Sequence, residues 1–358
     1  MEDKPELSII IVSYNVCPFL INCIQSILET AGSIDCEIIV IDNASTDGSV
    51  EAVRGTFPNV QVIANKVNVG FAKANNQGYL ISKGDFLLLL NPDTVVRPGA
   101  ITSVLEFMRN KSDAGLAACR LLNPDGSVQK SINYFPTMMR NISEILLMDR
   151  IFSRRHKRKT YYGTIPFIVD YCAGAFLIVR REALGKFDLF NSDFFMYAEE
   201  KDLAYRFKKS GWNTYFVPFA EVVHYGGAST NQMPKDMYLE LYRSNLIYLG
   251  INYSRVPGFI LSLGLGVELL SYWLLSLPLI FLSQSRYRFK LYSNLLIAFP
   301  GMMKKYIAKR PQRGIAATKS EARNPKFETN SNDQNSNDLN KLEKSYAKTF
   351  PEFQEIER

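Results

Sequence analysis

Residues 36–49 read CEIIVIDNASTDGS, a short apolar run that ends abruptly in polar turn residues. The run CEIIVID is β-branched and apolar without alternation, which predicts a strand buried on both faces. The segment NASTDGS that follows carries turn and helix-cap chemistry. Working outward, the same grammar repeats. Upstream, LSIIIVS (7–13) precedes Leu20, Ile24, Ile27 and Leu28, which share one helical face. Downstream, NVQVIAN (59–65) precedes a small-residue helix over 70–79, and DFLLLLNPD (85–93) ends in another polar turn. A βαβαβαβ order predicts an α/β fold whose mostly parallel sheet is covered on both faces. Ligands of such sheets bind at the carboxyl ends of the strands, so chemistry is expected in the polar turns.

The whole chain has 358 residues, 47% hydrophobic and 12% aromatic, enough for one large or two smaller domains. Its net charge of +7 points to an acidic partner: nucleotide phosphates, an anionic membrane or nucleic acid. Nucleic acid ranks last, because no recognition motif is present and the basic residues flank apolar sequence. Five cysteines without a CxxC pair read as reduced thiols in a cytosolic setting. The opening MEDKPELS lacks the pattern of a secretory signal.

Beyond residue 120 the pattern is less regular. YCAGAFLIVRR (171–181) predicts another buried strand, and FFMYAEEKDLAYRFKKSGW (194–212) an acidic helix beside an aromatic run. NTYFVP and EVVHYGGAST follow, then a helical pattern over 235–255, 26 nearly apolar residues (257–282) and, from about 312, an Asn/Ser-rich polar tail read as disordered.

Four strand-end signatures stand in order: SYN (13–15), DNASTDGS (42–49), NVGFAKANN (68–76) and NPDT (91–94). Each alone is also what a capped turn looks like. Together with GAFLIVRR, the acidic helix and VVHYGGAST, they resemble glycosyltransferase family 2, inverting nucleotide-sugar-dependent enzymes of the GT-A fold, and within it the bacterial rhamnosyltransferase-like members. The resemblance spans roughly residues 7–230. It implies a GT-A catalytic domain over 1–250, with a nucleotide-sugar half at about 1–120 and an acceptor half at about 121–250. Beyond the matched part, composition predicts an apolar and basic membrane-associating region over 251–311 and a flexible tail over 312–358.

The resemblance also implies roles. Asp42 matches the residue that accepts a hydrogen bond from the N3–H of uracil or thymine, which suits an acceptor-only carboxylate. Ser13 and Asn15 frame base or ribose, Asn43 belongs to the nucleotide-binding set, and Asp47 either contacts the nucleotide or orders its turn. Asn68, Gly70 and Asn75 belong to the third signature. Gly70, lacking Cβ, admits close backbone approach, and Asn75 and Asn76 read equally as helix-surface polarity. Asp93 matches the acid that holds the diphosphate and a divalent cation, Mn²⁺ or Mg²⁺. His224 matches a further ligand position; a histidine taken alone is more often a packed core or loop residue, but only two are present and this one sits in a matching motif, which favours the ligand reading. The family often has an acid where this chain has Asn91.

Inverting transfer needs a base for the acceptor hydroxyl. The family's Glu-Asp pair is Glu199-Glu200 here, so Glu200 stands at the base position and Glu199 competes with it. Phe194, Phe195 and Tyr197 are expected to limit water there and raise the carboxyl pKa. Asp202 and Arg206, four apart, read as an intrahelical ion pair, and Trp212 as packing.

A basic loop at 150–159 holds six Lys/Arg, and 286–313 carries eight Lys/Arg and no acid. The stretch 257–282 is long enough to span a bilayer, but a single span would separate the basic segment from a catalytic part that needs cytosolic donor. Glu268 within it is costly in lipid. A re-entrant or interfacial element on the cytoplasmic face of the membrane is therefore expected, ahead of a plain span and then of a buried core helix or an oligomer interface. The expected reaction moves a sugar, favoured as rhamnose from dTDP-rhamnose, to a hydroxyl of a glycan or lipid-linked acceptor in cell-surface polysaccharide assembly. The competing readings are a catalytically degenerate nucleotide- or partner-binding subunit, kept open by Asn91 and Glu200, and a nucleotidyltransferase. SYNVCPFL lacks the Gly-rich basic loop that the latter requires.

Overall fold

The computed structural model describes residues 4–32, 34–137, 139–140, 163–228, 234–278 and 283–308. The basic loop at 150–159 and the tail from 312 lie outside the described residues.

The strands are β1 (Leu7–Ser13), β2 (Cys36–Asp42), β3 (Gln61–Ala64), β4 (Phe86–Leu90), β5 (Thr94–Val96), β6 (Ala114–Leu122), β7 (Ile132–Asn133), β8 (Phe167–Val169), β9 (Tyr171–Cys172), β10 (Phe176–Arg180) and β11 (Asn213–His224). The helices are α1 (Cys17–Thr30), α2 (Ser49–Thr56), α3 (Phe71–Ile81), α4 (Ala100–Asn110), α5 (Arg181–Leu184), α6 (Glu199–Lys209), α7 (Pro234–Asn252), α8 (Arg255–Ser276) and α9 (Ser283–Met303), closed by a π-helical turn at Lys304–Ala308.

The large sheet runs β3-β2-β1-β4-β10-β6-β11-β5, with β8 on β11. Its first four strands are mutually parallel, as the repeated strand–helix pattern predicts. The second half is mixed. β10 inserts antiparallel between β4 and β6, and β11 runs parallel to β6 and antiparallel to β5. Strand β1 is wholly buried, and alternate residues serve opposite cores. Leu7, Ile9 and Ile11 pack with Leu20, Ile24 and Ile27 of α1 and Val104 and Met108 of α4. Ile10 and Val12 face Ala72 and Ala74 of α3, and that core runs on through Leu203 and Phe207 of α6 to Leu269 of α8 and Phe299 of α9.

Helix α7 docks on α6 through polar bonds. Asn252 donates to Asp202 Oδ1 (2.7 Å), Lys201 to Asn245 Oδ1, and Ser244 Oγ to the Met196 carbonyl (2.8 Å). The apolar stretch becomes α8, whose residues are largely exposed on one side. Among the described residues it is the one helix long and apolar enough to cross a membrane, with 22% of its apolar window buried. That places it outside the expectation of a buried core helix. Glu268 faces Tyr242, Tyr272 and Tyr292 on the packed side.

Candidate active site

At the carboxyl ends of the parallel strands, Ser13 and Asp42 are register partners on β1 and β2 and almost fully buried. Asp42 Oδ2 accepts from the Ser45 amide (2.9 Å), while Asp42 Oδ1 and Ser13 Oγ, both buried, have no partner within the protein. A buried acceptor left unpaired costs about 1–3 kcal/mol, which a ligand donor would recover.

The turn after β2 is held by its own side chains. Asn15, at φ 51°, accepts the Thr46 amide (2.7 Å), and its own amide donates to Ser45 Oγ (2.9 Å). Asp47 accepts from the Cys17 amide (2.7 Å) at the start of α1 and from both the amide and hydroxyl of Ser49 at the start of α2. Burial works against its charge, but these bonds outweigh it and keep the carboxyl below its ordinary range. Asp47 is thus engaged in ordering the turn.

Asn43 Oδ1 accepts from the Val69 amide (3.1 Å) and Asn65 Nδ2 (3.2 Å), and Asn68 Oδ1 accepts the Gly70 amide (3.0 Å). These bonds fix the loop into α3. Asn75 is buried and donates to the Phe71 carbonyl within its own helix. It is Asn76 that reaches another element, exchanging bonds with the Phe190 backbone at 2.7 and 2.8 Å.

A cleft of about 740 Å³, open mouth included, collects these strand ends. It is lined by Val12, Tyr14, Asn43, Asn68, Gly70, Phe71, Asn91, Pro92 and Asp93, and by Phe195, Met196, Gly227, Ala228 and Met237; Ser13, Asp42 and His224 are not among the lining residues. Asp93 is 5% exposed. Its Oδ1 lies 3.4 Å from His224 Nε2, and its Oδ2 accepts the Ala228 amide at 3.3 Å. Burial pushes the Asp93 carboxyl up, yet its polar neighbours, the Ala228 amide among them, hold it below the ordinary range. Asn91 Nδ2 sits 3.3 Å from the same His224 Nε2. Strand β11 delivers His224 opposite Thr94, so the NPDT turn and VVHYGG, far apart in sequence, meet at one corner.

Among the described residues no three His, Cys, Asp or Glu side chains cluster as a complete metal cage. One carboxylate oxygen and one imidazole nitrogen side by side at a cleft do suit a hard cation that takes its other ligands from phosphate and water.

Glu199 and Glu200 open α6 three residues past Met196 of the cleft lining, and neither lines the cleft itself. Ala198 and Tyr197 adopt left-handed backbone (φ 65° and 67°), which turns the chain sharply into the helix. Glu199 is 5% exposed, and Oε2 of each glutamate is buried without a partner. Burial raises both carboxyls, Glu199 well above its ordinary value with the Glu200 charge adding to the effect. Lys201 opposes this. It is buried over the Tyr248 ring, and its own pKa is lowered to about 8 by that burial. Asp202 and Arg206 form the intrahelical ion pair (2.9 Å), and Arg206 also ties down the Leu189 carbonyl (2.8 Å).

Sequence reasoning misses Gln129, which bonds His224 Nδ1 at 2.7 Å. The available signal was the turn sequence NPDGS at 123–127. It also misses Lys201 and Met237, because nothing in the spacing shows that α7 folds back over α6.

Three comparisons bear on this geometry. The family described as Glycosyl transferase family 2 matches residues 8–187. The N-acetylglucosaminyl-diphospho-decaprenol L-rhamnosyltransferase of Mycobacterium tuberculosis is 30% identical over 264 residues, 69% of this chain and 85% of that protein. Rhamnosyltransferase WbbL of Escherichia coli K12 is 26% identical over 162 residues, 45% of this chain and 59% of its own length. Among solved structures, the mannosyltransferase PcManGT from Pyrobaculum calidifontis, in complex with GDP-Man and Mn²⁺, superposes with a TM-score of 0.51 at 16% identity. It covers 84% of this chain and 88% of its own.

Proposed function

The chain belongs to glycosyltransferase family 2, and from that premise we propose that it transfers rhamnose from dTDP-rhamnose, with inversion, to a hydroxyl of a lipid-linked glycan intermediate. The observation that carries the reading is the corner where Asp93, which lines the cleft, brings Oδ1 within 3.4 Å of His224 Nε2. Donor and acceptor are suggested by the rhamnosyltransferase relatives, one of which is named for a decaprenol-linked substrate.

Asp42 Oδ1 and Ser13 Oγ, unpartnered at the strand ends, receive the base, and the imide N–H satisfies the buried carboxylate oxygen. Asn43 and Asn68 shape the loop against which the ribose lies. Asp93 and His224 would hold a divalent cation, which would supply positive charge against the departing diphosphate. Glu200 takes the proton of the acceptor hydroxyl as its oxygen bonds to the anomeric carbon and the bond to the diphosphate oxygen breaks. The raised pKa of Glu200 makes it a stronger base than an exposed carboxylate. Glu199, still more strongly raised, holds its proton more tightly and backs Glu200.

The acceptor side is read as membrane-bound. Val256, Phe259, Ile260, Leu263, Val267, Leu270 and Leu274 recur at helical spacing and are all exposed along α8. With Glu268 on the opposite side, α8 suits an interfacial position on the cytoplasmic leaflet.

The reading is tested by a donor screen on detergent-purified protein. Thermal stabilisation and product formation are followed with dTDP-rhamnose and with UDP-, GDP- and other dTDP-sugars, with and without Mn²⁺. Cation-dependent stabilisation by dTDP-rhamnose, lost in Asp93→Ala, is expected. Response to a different sugar nucleotide alone replaces the donor, and response to none removes the catalytic reading.

A further inference from the structure

The turn beyond β6 brings Gln129 to His224. The chain leaves β6 at Leu122 and reverses through residues 123–127, with Gly126 at φ 81°. The Gly126 amide bonds to the Asn123 carbonyl (2.9 Å), and Asp125 Oδ1 accepts both the amide and hydroxyl of Ser127. A bridge from Leu122 to Val128 and the Gln129 amide bond to Leu121 (2.8 Å) seat the returning strand. Gln129 then lies against the end of β11, the neighbour of β6 in the sheet.

Its amide group has one orientation that satisfies its surroundings. Two acceptors, Asn123 Oδ1 (3.0 Å) and the His224 carbonyl (3.3 Å), face the same terminal atom. That atom must be the NH₂ group, since the His224 carbonyl cannot donate. The other terminal atom is therefore the carbonyl oxygen, 2.7 Å from His224 Nδ1. An oxygen at that distance requires a proton on Nδ1. Nε2 is then the nitrogen with a free lone pair in the neutral ring, and it faces Asp93 Oδ1 and Asn91 Nδ2.

We propose that Gln129 is a positioning residue that fixes His224 as the Nδ1–H tautomer and so presents the Nε2 lone pair, beside Asp93, to a divalent cation. This rests on the cation reading of the Asp93–His224 corner. With one carboxylate and Asn91 where a second acid could stand, the protein's hold on a cation depends heavily on that imidazole. Outer partners that orient a ligating histidine typically change metal affinity about 10–100-fold when removed.

The chain has two histidines, His156 and His224, so imidazole ¹⁵N spectra of the full-length protein are assignable with a His156→Gln variant. Wild type is expected to show His224 protonated on Nδ1, without any metal added. Gln129→Met removes the acceptor and is expected to shift His224 toward the Nε2–H form. Gln129→Glu keeps an acceptor for Nδ1–H while losing both donated bonds, and is expected to retain the wild-type tautomer. Mn²⁺ is then titrated, by the EPR signal of the free ion, with saturating dTDP or UDP. Affinity is expected to fall about 10–100-fold in Gln129→Met and to stay near wild type in Gln129→Glu. A wild-type His224 protonated on Nε2 alone, or a tautomer unchanged in Gln129→Met, overturns the proposal. Equal loss of affinity in both variants also overturns it, by assigning Gln129 to the turn's integrity. If the tautomer responds as expected but wild type binds no Mn²⁺, the cation reading of the corner fails while Gln129's hold on the ring stands.

Discussion

Gly70 and Phe195 occupy each other's space. A Cβ on Gly70 would lie 2.6 Å from both the Phe195 carbonyl oxygen and a carbon of its ring. The Phe71 amide donates to that same carbonyl at 2.6 Å. The start of α3 is thereby locked to the segment that leads into the glutamate pair. Sequence reading assigned the glycine to close approach by a ligand; the crowding at its Cβ position comes from the protein, while its backbone still lines the cleft.

Gly70→Ala should therefore be destabilising for two reasons, the contact and the φ of 87°. A loss of more than about 1 kcal/mol is expected in denaturant unfolding. Adding Phe195→Ala should restore only part of it, because the ring contact goes and the carbonyl contact stays. A Gly70→Ala protein within about 0.5 kcal/mol of wild type would remove this account.

Asp93→Asn keeps the shape of the side chain and removes its charge. Donor turnover is expected to fall about 10²–10³-fold, with little change in melting temperature. EDTA should bring wild type down to a similar rate and leave Asp93→Asn unaffected. Full EDTA resistance of wild type would separate Asp93 from cation binding.

How legible this was depended on burial. Strands β1, β2 and β4 are buried in the centre of the sheet, so their apolar runs stood out, and the polar residues at their ends stood out against them. The direction of β10 was not legible. FLIVR is the same kind of apolar run whether it lies parallel or antiparallel to β4. Asp47 and Asn75 show a different limit. Asp and Asn bond their own backbone as readily as a ligand, and here both do so. Gln129 is invisible for a topological reason, since its partner His224 lies 95 positions away and meets it through the β6–β11 pairing. The face of α8 was equally hidden. Its residues are apolar nearly all round, and only packing by Leu261 and Leu269 selects the inner side.

The glutamate pair sets a pH dependence of stability with an unusual sign. Folding raises both carboxyl pKa values, so the folded chain keeps protons that the unfolded chain has released. Stability is full below the ordinary carboxylate pKa and falls as pH rises through the raised values. Glu199→Gln removes the group most strongly affected. It should be more stable than wild type at pH 8, by about 1 kcal/mol or about 2–4 °C, with the difference vanishing near pH 4. A Glu199→Gln penalty of equal size at both pH values would contradict the buried-charge account.

Under the proposed mechanism the same pair also sets the acid limb of the rate. Glu200→Gln should bind donor normally and lose transfer by about 10²–10⁴-fold. Lys201 holds both carboxyls down, so Lys201→Met should move the acid limb of kcat to higher pH. Transfer retained in Glu200→Gln but lost in Glu199→Gln would exchange their roles.

The exposed stripe on α8 gives the last expectation. An interfacial helix gains from both buried apolar area and attraction of nearby cations to anionic lipid. Arg286, Arg288 and Lys290, exposed at the start of α9, supply such cations. Leu263→Ser, Val267→Ser and Leu270→Ser together remove exposed methyl groups without touching the packed side held by Leu261 and Leu269. The triple variant should fold with an unchanged melting temperature. Its flotation with vesicles of mixed phosphatidylglycerol and phosphatidylcholine should fall several-fold, and raised salt should weaken wild type as well. Transfer to a short water-soluble acceptor should be unaffected, while transfer to a polyprenyl-linked acceptor in vesicles should drop. Equal flotation of triple variant and wild type would mean that α8 does not carry membrane contact, and the stripe would then have to be covered by protein.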